Sequence, residues 1–333
     1  MKQESLLPFI SVIIPTYNRR DSLLRVLDSL AQQTLSPNQY EIIVVDNGST
    51  DGTHSVVNEQ FPFTLRYLKQ DNRGATAARN EGAMNSQGKI LVFMDDDITL
   101  RPQTLDHLVG QCVQETKVIV LGTLITPDRI KTSVFAQVNA ESPITKHQVS
   151  SNGFVHFSNC MTGLLVVKRS DFFNLGMFQD PTGGWPNWDD VDFGYRAHLS
   201  GFQFRQHPQA IGEHWDYALT DLATDCQRWW RASKSAVRLF QKYPDMRPYI
   251  PMFHDKVSIT WGQDSPSLIV RKVVRVIASS RPILWGLEQL VSALEQRYPS
   301  PTLLRPLYRW VAGGYMFQGY RAGMREYGPV RTA

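Results

Sequence analysis

Short apolar runs alternate with helical patterns along the first hundred residues. Four runs are rich in β-branched residues and end at turn residues, as buried strands do: residues 10–14, 41–45, 64–68 and 90–94. A helix is predicted after Asp21, a suitable N-cap, because the leucines that follow recur at helical spacing: Leu23, Leu24, Leu27 and Leu30. A second helix is predicted at residues 74–83. This strand–helix repetition predicts an α/β fold with a mainly parallel sheet covered by helices.

The pattern changes in the second half of the chain. Strands are predicted at residues 164–167 and 209–211, a turn-rich segment at 180–187 and a helix at 193–199. Beyond about residue 221 the chain is helical and basic, with breaks at prolines. We therefore predict an α/β domain over residues 1–222 and a helical C-terminal region over residues 223–333.

Length and composition are those of an ordinary globular protein. The 333 residues are 42% hydrophobic and 20% charged, enough to bury a sizeable core. The three cysteines are far apart in the sequence, which argues against a disulfide framework and favours a reducing compartment. No apolar run has the length of a signal peptide core or a membrane span, so the expected location is the cytoplasm or the cytosolic face of a membrane.

The net charge of +4 is unevenly distributed. Residues 223–333 hold 17 Lys and Arg against 7 Asp and Glu, whereas residues 1–222 carry an acidic excess. An acidic first region and a basic second region indicate different partners for the two.

Three adjacent carboxylates, Asp95, Asp96 and Asp97, directly follow the strand predicted at 90–94. Because such carboxylates repel one another, a fold tolerates them best where a cation offsets their charge. Asp oxygens suit hard divalent ions, and a diphosphate can complete the octahedral shell. The alternative is a solvated acidic turn that caps the next helix. The position at a strand's carboxyl end, where parallel sheets bind ligands, favours a site.

Small polar side chains follow the first two predicted strands, as a nucleoside pocket requires. They are Pro15, Thr16, Tyr17 and Asn18 after the first strand, and Asp46 and Asn47 after the second. Asp46 is a candidate acceptor for a base N–H, and Thr16 and Tyr17 are candidates for contact with the base or ribose. Ordinary turn chemistry is the alternative.

Two arginines, Arg73 and Arg79, lie near the next predicted strand end, each beside a Gly-containing segment. Their charge suits contact with phosphates or a sugar. The alternative is that both are surface helix residues.

A second acidic cluster contains Asp189 and Asp190. Sugar transfer with inversion needs one carboxylate to take the proton of the acceptor hydroxyl, and a departing diphosphate needs a cation. Two separated carboxylate clusters supply both roles. Trp185 and Trp188 beside the second cluster offer flat apolar faces for binding an acceptor sugar. In the alternative, the tryptophans are core aromatics and the aspartates cap the helix at 193–199.

One of the eight histidines is a candidate metal ligand. His214 follows the strand predicted at 209–211 and can bind a metal through a neutral imidazole, with His207 a weaker competitor. A lone histidine is more often structural.

Five motifs occur here in the order found in family 2 glycosyltransferases, which the chain resembles. They are residues 15–19 (PTYNR), 45–53 (VDNGSTDGT), 78–82 (ARNEG), 93–97 (FMDDD) and 189–192 (DDVD). The resemblance covers roughly residues 8–220. It implies a GT-A fold, inversion at the anomeric carbon, and Mg²⁺ or Mn²⁺. Asp46 is compatible with uracil, guanine or thymine, so the expected donor is a UDP-, GDP- or dTDP-linked sugar.

The resemblance also implies roles for single residues. Asp46 matches the base-contacting acid, Asp95 the acid on the nucleotide side, and Asp97 the metal-binding acid of the DxD motif. Asp96, between them, is assigned to donor binding. His214 lies where some family members have a metal-binding histidine.

The catalytic base implied by the resemblance is Asp190, the second acid of the family's Glu-Asp pair. Asp189 replaces the more usual Glu and is the reserve candidate. The implied mechanism is direct displacement, in which the deprotonated acceptor oxygen attacks opposite the leaving diphosphate.

The C-terminal region carries apolar stripes interrupted by cations. Ile269, Val270, Val273, Val274 and Ile277 alternate with Arg271, Lys272 and Arg275, and a second stripe runs from Ile283 to Leu294 beside Trp285. Basic amphipathic helices of this kind lie on anionic membranes, which would suit a lipid-linked acceptor. The alternative is packing on the α/β domain or on a second copy in a homo-oligomer.

Two other functions fit parts of the sequence less well. A nucleotidyltransferase usually has a Gly-rich basic loop after its first strand, where this chain has residues 15–18. A degenerate binding module for nucleotide sugars or carbohydrates would be expected to lose acids from one cluster, yet both clusters are complete. No nucleic-acid-binding motif is recognisable, so no nucleic-acid partner is expected. The expected acceptor is a saccharide or a lipid-linked molecule.

Overall fold

The computed structural model describes residues 9–140, 153–183, 188–215 and 221–330. The chain forms two compact units. The first contains Met1–Pro127, Pro143–Gln179 and Asp189–Asp216, and the second contains Asp128–Ser142, Asp180–Trp188 and Tyr217–Ala333. The division expected at residue 222 from the sequence stays a prediction.

A nine-stranded sheet forms the centre of the first unit within the described residues. Its strands are β1 (Ile10–Thr16), β2 (Tyr40–Asp46), β3 (Thr64–Lys69), β4 (Ile90–Met94), β5 (Ile98–Leu100), β6 (Val118–Ile125), β7 (Phe154–Val155), β8 (Leu164–Lys168) and β9 (Gln203–His214). They lie in the order β3-β2-β1-β4-β8-β6-β9-β5, and β7 pairs with β9. The first four strands are parallel, as predicted, whereas β8 pairs antiparallel with both β4 and β6.

The described residues form ten α-helices. They are α1 (Arg20–Ala31), α2 (Ala75–Met84), α3 (Thr104–Gln114), α4 (Val134–Ala140), α5 (Arg169–Asn174), α6 (Asp189–Leu199), α7 (Leu222–Lys242), α8 (Pro266–Ala278), α9 (Arg281–Arg297) and α10 (Pro301–Tyr327). Short 3₁₀ turns lie at Pro37–Gln39, Thr53–Asn58, Asp128–Ile130, Phe157–Asn159, Pro244–Tyr249 and Pro251–Phe253. Helices therefore follow the strands of the first unit and make up most of the second.

The core of the first unit lies where helices cover the sheet. Leu23, Leu27 and Leu30 of α1 are fully buried in one cluster with residues of β1, β2 and β4, as the helical spacing predicts. The strands themselves are apolar on both faces, which is typical of parallel strands covered on both sides.

Strand register brings the carboxyl ends of the parallel strands to one edge. Thr16 at the end of β1 pairs with Asp46 at the end of β2, and Asp46 pairs with Lys69 at the end of β3. Strand β4 runs parallel to β1 and ends at Met94, directly before the acidic triplet. The polar loops predicted from the sequence therefore leave the sheet at neighbouring points.

The second unit has its own helical core. Phe135 of α4 packs edge-to-face on Tyr308 of α10, and Phe240 of α7 packs on Phe253. Helix α10 approaches α7 closely at Gly319, where a Cβ would lie 2.1 Å from the carbonyl oxygen of Trp230. Among the described helices, none combines the length and the low polarity needed to cross a membrane.

Candidate active site

Two acidic clusters are joined by one buried arginine, Arg79 of α2. Its Nη2 donates to Asp95 Oδ1 at 2.7 Å, and its Nη1 lies 3.4 Å from Asp189 Oδ2. The Arg79 side chain is 8% exposed, and although burial acts to lower its pKa, the carboxylates of Asp95 and Asp189 raise it. The acid triplet after β4 and the acid pair at the start of α6 therefore form one site.

The two aspartates of the second cluster have different surroundings. Asp189 is 4% exposed, and its carboxylate accepts hydrogen bonds from Thr76 Oγ1 at 2.8 Å and from the backbone N–H of Asp190 at 3.1 Å. Burial raises the pKa of Asp189, while Arg79 and Thr76 oppose the rise. These donors hold Asp189 in place and occupy its oxygens.

Asp190 has fewer partners. Its Oδ1 accepts from the backbone N–H of Val191 at 2.7 Å, and no residue in the described ranges donates to Oδ2. Burial, followed by the neighbouring Asp189 carboxylate, raises the pKa of Asp190 to about 7. The Asp190 carboxyl therefore has a pKa near neutrality, and its Oδ2 is available to accept a proton.

The middle acid of the triplet, Asp96, is turned towards β1 and α1. Its Oδ2 accepts from Thr16 Oγ1 at 2.6 Å, and its backbone oxygen accepts from Ser22 Oγ at 2.8 Å. Burial raises the pKa of Asp96 to about 7, although Thr16 and Arg19 act in the opposite direction. These contacts tie the acidic loop to the loop that follows β1.

Arg19 supplies positive charge to the triplet. Its Nη1 lies 2.6 Å from Asp97 Oδ2 and 3.4 Å from Asp96 Oδ1, and the arginine side chain is 46% exposed. Burial acts to raise the pKa of Asp97, but the contacts with His214 and Arg19 lower it to about 2. The triplet therefore already has a cation against it, one that remains accessible to solvent.

The other oxygen of Asp97 tests whether the site suits a metal ion. Asp97 Oδ1 is buried without a hydrogen-bond partner, and His214 Nε2 at the end of β9 lies 3.4 Å from it. A carboxylate oxygen and an imidazole nitrogen at this distance are a fitting pair of ligands for Mn²⁺ or Mg²⁺, with the remaining positions left to diphosphate and water. Within the described ranges, no three acidic, histidine or cysteine side chains converge as a closed metal cage.

Asp46, the acid predicted to lie on the nucleoside side, is 1% exposed at the end of β2. Its Oδ1 accepts from the backbone N–H of Ser49 at 2.8 Å, and its Oδ2 accepts from the Tyr67 hydroxyl at 2.6 Å. Burial, together with Asp46, raises the pKa of Tyr67. These two hydrogen bonds fix the orientation of the Asp46 carboxylate. Each of its oxygens retains a further lone pair, which can accept a hydrogen bond from a ligand.

The loops that follow β1 and β2 are linked through Asn18. This residue has a left-handed backbone with φ of 51°, a conformation that Asn tolerates better than most side chains. Its Oδ1 accepts from the backbone N–H of Thr50 at 2.8 Å, and its own N–H donates to Ser49 Oγ at 2.8 Å. The loops after β1 and β2 therefore hold each other.

Asn47 fixes the segment that leads into α2. Its Oδ1 accepts from Gln70 Nε2 at 2.8 Å and from the backbone N–H of Arg73 at 3.0 Å, and its Nδ2 donates to Asn72 Oδ1. The Arg73 side chain is 58% exposed and contacts Gln70 and Glu81. Arg73 therefore lies at the margin of the cluster, whereas Arg79 lies inside it.

The remaining predicted site residues lie in less defined positions. Pro15 is a buried residue of β1 that pairs with Val45, and Tyr17 is 47% exposed in the following loop. Trp188, in the second unit, donates its indole N–H to the Ala232 oxygen at 3.0 Å and packs on Phe253. Trp185 lies outside the described residues.

Three participants were not singled out from the sequence: Arg19, Tyr67 and Thr76. Arg19 closes the first motif, so its position beside other polar loop residues was an available signal. Tyr67 is placed by the parallel register of β3 against β2, and Thr76 by the first turn of α2. Neither placement has a marker in the local sequence.

Sequence comparison with known proteins identifies the family of this chain. The profile of Glycosyl transferase family 2 matches residues 11–172. Glycosyltransferase AglE of Haloferax volcanii is 39% identical over 225 residues, which cover 63% of this chain and 68% of AglE. The chain belongs to glycosyl transferase family 2. Another relative, validoxylamine A glucosyltransferase of Streptomyces hygroscopicus subsp. limoneus, is 29% identical over 224 residues, which cover 59% of this chain and about half of that protein, 49%.

Solved structures support the same fold. The mannosyltransferase PcManGT of Pyrobaculum calidifontis superposes with a TM-score of 0.59 at 19% identity, covering 94% of this chain and 87% of that one. TarS residues 1–349 from S. aureus give a TM-score of 0.50 at 14% identity, covering 96% and 92%. At these identities the likeness speaks for the fold alone, and the predicted GT-A fold with C-terminal helices is confirmed. The protein is a glycosyltransferase.

Proposed function

We propose that this glycosyltransferase transfers a sugar, with inversion, from a nucleotide-diphosphate donor to an acceptor hydroxyl. The observation that carries the proposal is the Arg79 bridge between Asp95 and Asp189. It joins a donor-side acidic cluster to a second carboxylate pair, and inverting transfer needs these two functions side by side.

Asp190 is the proposed general base. Its Oδ2 accepts the proton of the acceptor hydroxyl, and the resulting oxygen attacks the anomeric carbon from the face opposite the diphosphate. The bond between that carbon and the diphosphate breaks as the new one forms, which inverts the configuration. Asp189 is the proposed positioning residue, because its oxygens are already engaged by Thr76, Arg79 and the N–H of Asp190.

Donor binding is proposed at the ends of β1, β2 and β4. Asp46 would accept from a base N–H, with Thr16, Tyr17 and Asn18 beside it, and Asp95, Asp96 and Arg79 would lie on the phosphate and sugar side. Asp97 and His214 would hold Mg²⁺ or Mn²⁺, which when bound neutralises charge on a departing diphosphate. PcManGT, which shares the fold, was solved with GDP-Man and Mn²⁺. UDP-, GDP- and dTDP-sugars remain the proposed donors.

A saccharide or lipid-linked sugar is the proposed acceptor. The relatives differ widely in their named acceptors, which include validoxylamine A and poly(ribitol-phosphate). The proposed contacts with the acceptor are Trp185 and Trp188. Trp188 would contact it through the face of its ring, because its indole N–H already donates to the Ala232 oxygen.

The donor is tested by thermal shift with UDP, GDP, dTDP, CDP and ADP, each with Mn²⁺ or with a chelator. A ligand at about 100 times its Kd adds about 2.7 kcal/mol to the free energy of unfolding, which moves the Tm by a few degrees. We expect one nucleotide to act, to require the cation, and to lose its effect in Asp97→Ala. A folded protein that responds to none of the five would contradict the proposal and favour a degenerate binding module.

The base is tested with Asp190→Asn, once a donor is known. A general base contributes about 10²–10⁴-fold to rate, so kcat should fall by this factor while the donor-induced thermal shift remains. Because the pKa of Asp190 is raised to about 7, wild-type kcat should fall as the pH drops below about 7. Asp128→Asn, at a solvent-exposed carboxylate, is the control and should keep both rate and profile. Wild-type rates in a folded Asp190→Asn protein would exclude this residue as the base.

A further inference from the structure

Helix α8 has its charged and apolar faces reversed relative to a helix of a water-soluble protein. Lys272 is 3% exposed, and its Nζ contacts Asp264 Oδ2 at 2.5 Å and the Ser258 oxygen at 2.9 Å. Arg275, one turn further on, contacts Asp255 at 3.1 Å and lies over the Trp310 ring. Two of the three cations of α8, Lys272 and Arg275, thus point into the protein, where each has a partner.

The opposite side of α8 presents a continuous apolar stripe to solvent. This surface, which we call the α8 stripe, consists of Val270, Val273, Val274 and Ile277, whose side chains are 60%, 44%, 40% and 58% exposed. Their spacing is i, i+3, i+4 and i+7, which puts them on one helical face. A soluble helix buries such a face, so exposed stripes of this kind mark an interaction surface.

Exposed apolar residues continue on the next helix, and exposed cations accompany them. Ile283 and Trp285 of α9 are 41% and 65% exposed. Residues 266–287 contain four basic and no acidic residues, of which Arg271 and Arg281 are exposed. A helix that lies in the interface of an anionic bilayer has this composition: apolar residues such as valine, isoleucine and tryptophan, flanked by arginine.

We propose that α8 and the start of α9 bind the surface of an anionic membrane. The α8 stripe and Trp285 enter the boundary between headgroups and acyl chains, and Arg271 and Arg281 pair with lipid phosphates. This surface does not depend on the proposed sugar transfer. A second copy of the chain is the competing occupant, and charge disfavours it because two such faces would bring like charges together.

The test is co-sedimentation of the full chain with vesicles of phosphatidylcholine alone or mixed with phosphatidylglycerol. We expect strong binding to the mixed vesicles. Replacing Val270, Val274 and Ile277 together by Gln, which favours helix, should weaken it on the order of a hundredfold. Arg271→Gln and Arg281→Gln should each weaken binding to the anionic vesicles by about fivefold.

A matched control exists on the first unit. Met84, Val113 and Leu199 are helical apolar residues that are 50%, 48% and 65% exposed, and replacing all three by Gln should leave vesicle binding unchanged. Circular dichroism melting checks that both triple variants are folded. Equal loss of binding in both would overturn the assignment to α8.

Trp285 gives a second readout that does not rely on the triple variant. The emission of Trp285 is obtained by subtracting the fluorescence spectrum of Trp285→Phe from that of the wild type. When mixed vesicles are added, this emission should shift to the blue, and brominated acyl chains should quench it. Absence of vesicle binding by the wild type would overturn the proposal. The proposal would also be overturned if the wild type sedimented as a dimer, the triple variant of the α8 stripe sedimented as a monomer, and lipid changed neither result. The second copy of the chain would then be the occupant of the stripe.

Discussion

At the residue scale, the acidic triplet depends on its cation. Arg19 Nη1 lies 2.6 Å from Asp97 Oδ2, on the side of this carboxylate away from the buried, unpartnered Oδ1 that faces His214. Three carboxylates in sequence repel one another, so a guanidinium against two of them stabilises the loop while no divalent cation is bound. A divalent cation bound at Asp97, as proposed, would therefore offset the same negative charge that Arg19 offsets.

Arg19→Gln should make the protein more dependent on divalent cations. Without metal, the free energy of unfolding should fall by about 1 kcal/mol or less, because the pair is partly exposed. The increase in Tm on adding Mn²⁺ should exceed that of wild type, because the cation replaces a lost charge. Arg20→Gln, which removes a neighbouring arginine that contacts Asp21 and Ser55, is the control. An unchanged Mn²⁺ response in Arg19→Gln would mean that the arginine does not compete with the cation.

The acids of the candidate site stand out in the sequence because Asp95 and Asp97 follow the apolar strand β4 and Asp190 lies in a recognisable motif. Their roles stay predictions. Tyr67 and Thr76 could not be assigned, because their roles arise from contacts across 21 and 113 residues of chain. Such contacts depend on strand register and helix placement, which no local pattern encodes.

At the element scale, the position of α2 determines where Arg79 lies. Gly82 faces β1, and a Cβ there would lie 2.5 Å from Ile13 Cγ2 and 3.2 Å from Val45 Cγ2. The missing side chain lets the helix approach the sheet closely, one turn after Arg79. The close approach therefore helps to bring the guanidinium between Asp95 and Asp189.

Gly82→Ala should destabilise the protein although alanine favours helix. Overpacking of this kind costs about 1–3 kcal/mol of the free energy of unfolding, more than the gain in helix propensity. Gly110→Ala in α3 is the matched control, since its Cβ would meet nothing within 4 Å and should stabilise by up to about 1 kcal/mol. Chemical denaturation of both variants measures the difference, and a Gly82→Ala protein as stable as Gly110→Ala would refute the close-approach argument.

Elements with a strong period were predictable, and others were not. The first four strands and the helix with Leu23 and Leu27 appear where the apolar runs place them. Strands β5 and β7 have three and two residues, too few to show a period, and Gly122 interrupts the apolar run of β6. Strand β9 is longer than residues 209–211 because pairing with β6 and β5 extends it over polar residues.

At the scale of the whole molecule, the raised pKa of Asp190 links its proposed role as a base to stability. Burial and Asp189 raise the pKa from the ordinary value of 3.8 to about 7, so the folded protein binds a proton that the unfolded chain has released. Between about pH 4 and pH 7 this group therefore makes the free energy of unfolding fall as pH rises, and above both pKa values its effect is constant. A carboxyl with a lowered pKa, such as Asp97, acts in the opposite sense and at lower pH.

Asp190→Asn removes one of the two interacting carboxyls of the Asp189–Asp190 pair, because the amide keeps the shape and does not titrate. The stability of the variant relative to wild type should rise by up to about 2 kcal/mol between about pH 5.5 and pH 7.5, with each pKa unit worth about 1.4 kcal/mol. Denaturation by urea at both pH values, with a chelator present, measures it, and Asp128→Asn should show no such change because its carboxylate is exposed. The histidines with lowered pKa, His156 and His207, contribute equally to both proteins and cancel in the difference. A relative stability independent of pH would mean that the Asp190 carboxyl is ionised throughout, and it would then be a weaker base than the proposed mechanism requires.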